Sequence, residues 1–534
     1  MTTPLLSVEN LSVAYKEGDH HTRVTHEVSF DIAPGEVVAL VGESGSGKTT
    51  TAQAVIGLLP ENGRIEQGAI RLNGEDISKW SSKRLDAIRG SQISLIPQDP
   101  TSSLNPVKTI GAQVGEILRI HGDRDGKVIA ARVAELLARV GLSDPELRAR
   151  QYPHELSGGM KQRVLIAIAI ALKPQLIIAD EPTSALDVTV QRRILDLIDE
   201  LRRENNTAVL LVTHDLGVAA DRADRIVVLQ GGHIQETGEA KALLIAPQSP
   251  YAQRLLADAP SLSTTAFREP RPGGGDAIVV DGLVHEYGLG RKKSFRAVDG
   301  LSFSVKRGTT HAIVGESGSG KTTTVRDVVG FGRPTSGQIR IDGTDIASLK
   351  GDALRQFRRK IQLVYQNPFS SLDPRQTVFS IVEEPLVNFS GLDAGARAKK
   401  VNDLLERVGL PEALRKRRPR ALSGGQRQRV AIARALVLDP EVVVLDEAVS
   451  ALDVTVQAQI LKLLDDLQRE LGLTYLFVSH DLAVVRQISD TVSVLQDGRQ
   501  VETGTVEEVF LRPQSAYTRE LIDAIPGKRS LALA

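Results

Sequence analysis

Short apolar runs of four or five residues recur along the first half of the chain, at 37–41, 93–96, 176–179, 208–212 and 226–229. Between them the apolar positions shift to a spacing of three and four. The runs predict buried strands and the wider spacing predicts helices, so their alternation predicts an α/β domain with a largely parallel sheet. Between residues 98 and 156 the pattern turns helical. Residues 128–140 are apolar at i, i+3 and i+4, which predicts a helical subdomain inserted into the sheet domain. The longest apolar runs, such as 164–172, are about half as long as a membrane-crossing helix requires, so no crossing is expected.

The second half repeats the first. Lys48 recurs as Lys321, Gln98 as Gln366, Ser157 as Ser423, Asp180 as Asp446 and His214 as His480, at offsets of 273, 268, 266, 266 and 266 residues. That period is too long for a solenoid and predicts two whole domains in tandem, residues 1–260 and 276–534. Between them, residues 261–275 are rich in Ser, Thr, Pro and Gly without periodicity and read as a linker, spanning at most ~50 Å when extended.

The strand at 37–41 and its repeat at 310–314 each run into the string GESGSGKTT. Gly42, Ser44, Gly45, Gly47, Lys48, Thr49 and Thr50, and their repeats Gly315, Ser317, Gly318, Gly320, Lys321, Thr322 and Thr323, fit the phosphate-loop pattern. Glycines let backbone N–H groups curl around a polyphosphate at the positive end of the following helix. Lys48 and Lys321 would reach the β- and γ-phosphates of a nucleotide, and the hydroxyls of Thr49 and Thr322 would face Mg²⁺. One such string reads equally as a turn capping an ordinary helix; two near-identical copies after apolar strands do not.

Two further strands end in carboxylate pairs, Asp180–Glu181 and Asp446–Glu447. Downstream of a phosphate loop, the first carboxylate of each pair would hold the Mg²⁺ shell and the second would polarise the attacking water. LSGGMKQR at 156–163 and LSGGQRQR at 422–429 open long helices. Ser157, Gly158 and Gly159, and Ser423, Gly424 and Gly425, would offer an N-cap hydroxyl and free backbone donors, a second anion site distinct from the phosphate loop.

With LSGG in both halves, the chain resembles the nucleotide-binding subunits of ATP-binding cassette transporters, and the resemblance covers nearly its whole length. SALD at 184–187 and 450–453 is similar to that family's D-loop. His214 and His480 match its switch histidine at the γ-phosphate, and Gln98 and Gln366 match the Q-loop residue that reaches Mg²⁺ and the water while contacting the membrane subunit. Tyr15 and Tyr287, just upstream of the first strands, look like adenine-stacking residues, with core packing as the alternative reading. The resemblance implies composite sites in which the phosphate loop of one half meets the signature of the other, Lys48 with Ser423 and Lys321 with Ser157. Two departures, Met160 for the signature glutamine and Ala448–Val449 for Pro–Thr, put local geometry in question and remove no ligand.

Composition narrows the partners. Lys plus Arg and Asp plus Glu number 66 each, a balance that argues against nucleic acid as the main partner, the basic run at 415–420 reading as a solvated segment. The absence of cysteine excludes disulfides and thiolate metal sites, and no secretory signal opens the chain. QDPTSSLNP at 98–106, QNPFSSLDP at 366–374 and the tails PQSPYAQRLL at 247–256 and PQSAYTRELI at 513–522 resemble the dipeptide, oligopeptide and nickel importer branch. That resemblance implies an ATPase using ATP and Mg²⁺, bound to two transmembrane permease subunits at the cytoplasmic face of the inner membrane. An extracytoplasmic substrate-binding protein would serve the same importer, and with both cassettes in one chain no self-dimer is required. A ribosome-acting tandem-cassette factor and an exporter ATPase are the competing readings; the short, nearly neutral linker disfavours the first, and the Q-loop and tail sequences the second.

Overall fold

A computed structural model describes residues 3–528 except 185, 263–266, 269–270, 272, 289–293 and 451. Its described residues form two compact units, one reaching residue 262 and including 526–528, the other running from 267 to 525. The linker read at 261–275 therefore falls partly outside the described residues.

In the first unit the central sheet has six strands in the order His233–Glu239, Arg225–Gln230, Val37–Val41, Ala208–Val212, Leu176–Asp180 and Ile93–Ile96. Every neighbouring pair but the first runs parallel. Three of these strands are buried at every position, as expected of strands covered on both faces, which is why they read as unbroken apolar runs. Three parallel strands end on one edge of the sheet, and the phosphate loop, the carboxylate pair and the HD dipeptide follow directly from those ends.

A second, antiparallel sheet was not foreseen. It orders His20–Ile32, Leu6–Glu17, Gly63–Leu72 and Glu75–Asp76. Register shifts around residues 8–14, with Asn10 at φ 48°, break the two-residue alternation that would have announced it. Leu6, Val8, Leu11 and Ile32 of this sheet share one core with Val38, Leu40, Ile178 and Leu210 of the central sheet and with Ala52 and Val55 of the helix Lys48–Ile56. The phosphate-loop helix is thereby fixed between two sheets.

The helical subdomain includes Ile110–Ile120, Gly126–Arg139 and Gly158–Ile170. Thr109 and Asp125 cap the first two through side-chain oxygens, and Ile129, Val133, Leu136 and Leu137 form the buried stripe that the periodicity predicts. The second unit repeats both sheets and this subdomain, its central order being Ile361–Val364, Val442–Asp446, Thr474–Ser479, Thr310–Val314, Thr491–Gln496 and Arg499–Thr505. No helix among the described residues is long and apolar enough to cross a membrane.

The repeats differ in their cores. Val38 of the first unit is replaced in the second by His311, which is fully buried, bonded to Thr491 Oγ1 (2.8 Å) and Ser493 Oγ (3.0 Å), and stacked on Phe303. Burial pushes its pKa down from 6.5 to about 3. Above pH 6.5 the imidazole is neutral folded or unfolded and contributes no pH dependence; below it, only the unfolded chain takes the proton. The second unit should therefore lose about 1.4 kcal/mol per pH unit, or about 2 kcal/mol at pH 5. Hydrogen exchange resolved by unit between pH 7 and 5 should show this loss, and His311→Val should flatten it; an unchanged slope in the variant would refute the assignment.

From residue 267 on, the described part of the linker is docked on the second unit. Arg268, its side chain 8% exposed, donates to Asp465 Oδ1 (2.6 Å) and Gln468 Oε1 (2.7 Å), and Arg271 donates to the same two atoms (2.6 Å each). Phe267 lies edge-on to Phe510 beneath the Arg486 guanidinium. In the first unit the corresponding Asp199 and Asp224 are served by Arg222 and Arg202 from within the fold. The second unit keeps both aspartates but has Gln468 and Ile488 where those arginines would stand. Removing one partner of a buried pair costs about 3–5 kcal/mol. We expect Arg268→Ala/Arg271→Ala to lower the melting temperature of the second unit by roughly 6–15 °C, and Gln468→Arg/Ile488→Arg to restore much of the loss. Scanning calorimetry of the full chain checks both, and no rescue would mean that the linker acts by some other contact.

Candidate nucleotide sites

Each phosphate loop leaves its strand through a glycine and enters its helix through another in the left-handed conformation, Gly47 (φ 95°) and Gly320 (φ 99°). Lys48 is buried, and its Nζ folds back over the loop to donate to Gly42 O and Glu43 O (2.8 Å each) and to Ser46 Oγ (3.4 Å). Lys321 does the same with Gly315 O (2.7 Å) and Glu316 O (2.8 Å). In both units the ammonium is thus held by backbone carbonyls of the loop, at the N-terminus of the helix where a polyphosphate would bind.

Thr49 follows the lysine, and its Oγ1 donates to Asp180 Oδ1 (3.2 Å). Burial, then the neighbouring Glu181 charge, raises the Asp180 carboxyl to about 6, and Asp446 is raised to about 6 by burial and Glu447. A buried carboxylate beside a second one is short of positive charge. The oxygen donors gathered here, a hydroxyl, a carboxylate and the nearby Gln side-chain amide, suit a hard divalent cation such as Mg²⁺.

The second carboxylate of each pair is differently held. Glu181 and Glu447 occupy the left-handed region, at φ 45° and 48°, which turns each side chain away from the strand and costs about 1–3 kcal/mol. Glu181 lies 3.1 Å from His214 Nδ1 and accepts a bond from Gln98 Nε2 (2.8 Å); Glu447 lies 3.3 Å from His480 Nδ1 and accepts from Gln366 Nε2 (2.7 Å). Burial acts to raise both glutamates, but the histidine and Gln bonds and the loop lysine outweigh it and hold them below the usual carboxylate range. They stand ionised at neutral pH. Burial would likewise depress His214, yet its bond to Glu181 raises it overall. Asp215 and Asp481 turn the other way and cap the next helix, which leaves the histidine facing the glutamate.

The structure thus brings Gln, Glu and His of each half together, and in the first unit joins them to Lys48 and Thr49 through the adjoining Asp180. The signature serines stand apart, at the N-termini of Gly158–Ile170 and Gly424–Leu436. Ser157 caps through Met160 N and Ser423 through Gln426 N, with nearly identical cap dihedrals. Gln426 also accepts from Ser423 N (3.1 Å), a reciprocal bond that Met160 cannot make. That departure removes one hydrogen bond and leaves the backbone unchanged. Ala448 and Val449 are buried, and Ser450 N still bonds Glu447 O. Of the two SALD segments, positions 185 and 451 lie outside the described residues.

Tyr15 and Tyr287 lie within the first strand of each unit, where the sequence had placed them just before it. The Tyr15 hydroxyl lies 3.2 Å from Thr50 Oγ1, and Tyr287, 41% exposed, lies 3.4 Å from Thr323 Oγ1. Sequence reasoning missed another pair. The Tyr251 hydroxyl accepts a bond from Glu43 N (3.1 Å), and the Tyr517 hydroxyl accepts from Glu316 N (3.2 Å), so each tail helix braces its phosphate loop. The signal was present: PQSxY occurs in both halves at the 266-residue offset.

The family model described as ABC transporter matches residues 25–184 and 298–450, and that described as oligopeptide/dipeptide transporter, C-terminal region, matches 501–532. The peptidoglycan transport ATP-binding protein YejF of Agrobacterium fabrum is 44% identical over 98% of this chain and 96% of its own. The oligopeptide transport ATP-binding protein OppD of Mycobacterium tuberculosis is 41% identical, with 98% of each chain covered. The glutathione import ATP-binding protein GsiA of Salmonella typhimurium is 42% identical over 98% of this chain and 89% of its own.

Proposed function

The chain belongs to the ABC transporter family, and from that premise we propose that it is the ATP-hydrolysing subunit of an importer for peptides or related small solutes. The observation that carries this reading is the duplicated constellation: each unit holds an ordered phosphate loop beside a buried Asp–Glu pair whose glutamate is gripped by Gln and His. Glu181 and Glu447 take the proton of the attacking water, while Lys48 and Lys321 bear on the β- and γ-phosphates. His214 and His480 orient the glutamates and face the γ-phosphate. Thr49 with Asp180 and Gln98, and Thr322 with Asp446 and Gln366, would hold Mg²⁺, which when bound offsets phosphate charge and fixes the phosphate geometry. Ser157 and Ser423 complete sites in the opposite half, with Lys321 and Lys48 respectively.

The partners are two permease subunits, served by an extracytoplasmic binding protein, which place the chain at the cytoplasmic face of the inner membrane. Beside Gln366 a cavity of about 490 Å³ is lined by Phe331, Tyr365, Pro385 and Arg434, between sheet and helical subdomain, a seat for a permease segment. Two readouts test the reading. Two membrane proteins should co-purify with the chain from detergent extracts and crosslink near 98–106 and 366–374; crosslinks mainly to ribosomal components would sink the importer. With Lys48→Ala leaving one working site, Ser157→Arg should abolish the residual ATPase and Ser423→Arg should spare it; the reverse outcome would refute the composite pairing.

A further inference from the structure

Two residues before Tyr287 on the same strand, His285 is buried, and its Nδ1 lies 2.9 and 3.1 Å from the carboxylate oxygens of Asp327. Asp327 belongs to the phosphate-loop helix Lys321–Val328 and its side chain is wholly buried. The His285 ring in turn lies 4.5 Å from the Tyr287 ring, tilted by 47°. A register shift falls between His285 and Glu286, yet the two rings remain in contact, so a side chain fixed at 285 limits the rotamers open to the one at 287. The contacts form a continuous path from the helix that follows the phosphate loop, through Asp327 and His285, to an aromatic ring that is otherwise 41% exposed.

The first unit builds the same fold without this path. Val13 and Ala54 stand at the corresponding positions, both buried and apolar. A buried ionisable pair is no better for stability than well-packed apolar residues, and Val13 with Ala54 shows that the fold does not need one here. Both tyrosines meet a threonine of the phosphate-loop helix, Thr50 or Thr323, and Tyr15 packs in addition on Gly63.

We propose that the His285–Asp327 pair is a positioning device for Tyr287 as the platform on which the nucleotide base stacks in the second unit, so that the two units hold their aromatic platforms by different means. The inference rests on the reading of Tyr287 as a base-stacking residue. The side-chain hydrogen bonds of Asp327 and His285 among the described residues join them to each other, and in this proposal they act through the ring.

The test uses the full chain with Lys48→Ala, so that only the second site binds, and measures the affinity of ATP and of inorganic tripolyphosphate with Mg²⁺. Stacking on an aromatic ring has a large enough effect that its loss should be read easily. Tyr287→Ala should weaken ATP about five- to twentyfold and leave tripolyphosphate within twofold. His285→Val should reproduce most of that loss with the same selectivity, and should add nothing in the Tyr287→Ala background. The double variant His285→Val/Asp327→Ala, which recreates the first unit's packing, guards against misfolding and should behave like His285→Val. If Tyr287→Ala weakens ATP while both pair variants leave it unchanged, or weaken tripolyphosphate equally, the positioning role is refuted and the platform stands. If Tyr287→Ala itself has no effect, the platform reading fails first.

Discussion

Replacing Glu181 and Glu447 together by glutamine should leave a chain that binds ATP as the parent does but turns it over about 10²–10⁴-fold more slowly. Glutamine keeps the shape of the side chain, tolerates the same left-handed backbone as glutamate, and leaves the phosphate loop untouched. What it loses is the charge. The glutamates are ionised despite burial because His214, Gln98 and their counterparts stabilise the anion, so a neutral amide removes the group proposed to accept a proton from water. Equilibrium binding of labelled ATP and single-turnover phosphate release measure the two halves of the claim. A variant hydrolysing at the parent rate would show that the base lies elsewhere, and one that fails to bind ATP would show that the glutamates hold the loop rather than the water.

The second large effect is expected from Gly42→Ala and Gly315→Ala. At φ 149° and 150° these glycines occupy a conformation that L side chains rarely adopt, and a Cβ built there would meet a main-chain oxygen at 2.1 Å (Leu229) or 2.2 Å (Leu495). Neither oxygen can retreat, since each belongs to a central-sheet strand beside the loop. The loop would have to give way, taking with it the carbonyls that position Lys48 or Lys321. Nucleotide binding at the altered site should fall by at least about a hundredfold, of the order expected when a phosphate cradle loses about 3 kcal/mol. A ligand-depletion assay in chains carrying one intact site measures it, and binding within threefold of the parent would mean that the loop reorganises freely.

Much of the site was legible because its chemistry sits in contiguous strings. A phosphate loop, a carboxylate pair after an apolar strand, and a serine with two glycines opening a helix are each local, and the duplication displays them twice. What escaped is non-local or conformational. The unusual backbone of Glu181 and Glu447 leaves no composition signature, and the grip of Gln98 and His214 on Glu181 joins positions 83 and 33 residues away. The antiparallel sheet hid behind bulges that shift its period, so Tyr15 read as lying just upstream of the first strand. Tyr251 and Tyr517 looked like one face of an amphipathic helix, because nothing in a helix repeat reveals which loop its phenol will meet.

The arginines supplied by the linker bear on how freely the halves could be exchanged as modules. A gene broken after codon 275 would encode a second cassette with Asp465 and Asp490 but neither Arg268 nor Arg271, and two codons, at 468 and 488, would have to change before that fragment matched the self-sufficiency of the first. A break a few codons earlier, ahead of Phe267, would carry the arginines along. Fission of this chain is therefore a matter of codons: one breakpoint yields two inheritable parts, and another, nine codons downstream, yields a part that depends on what was left behind.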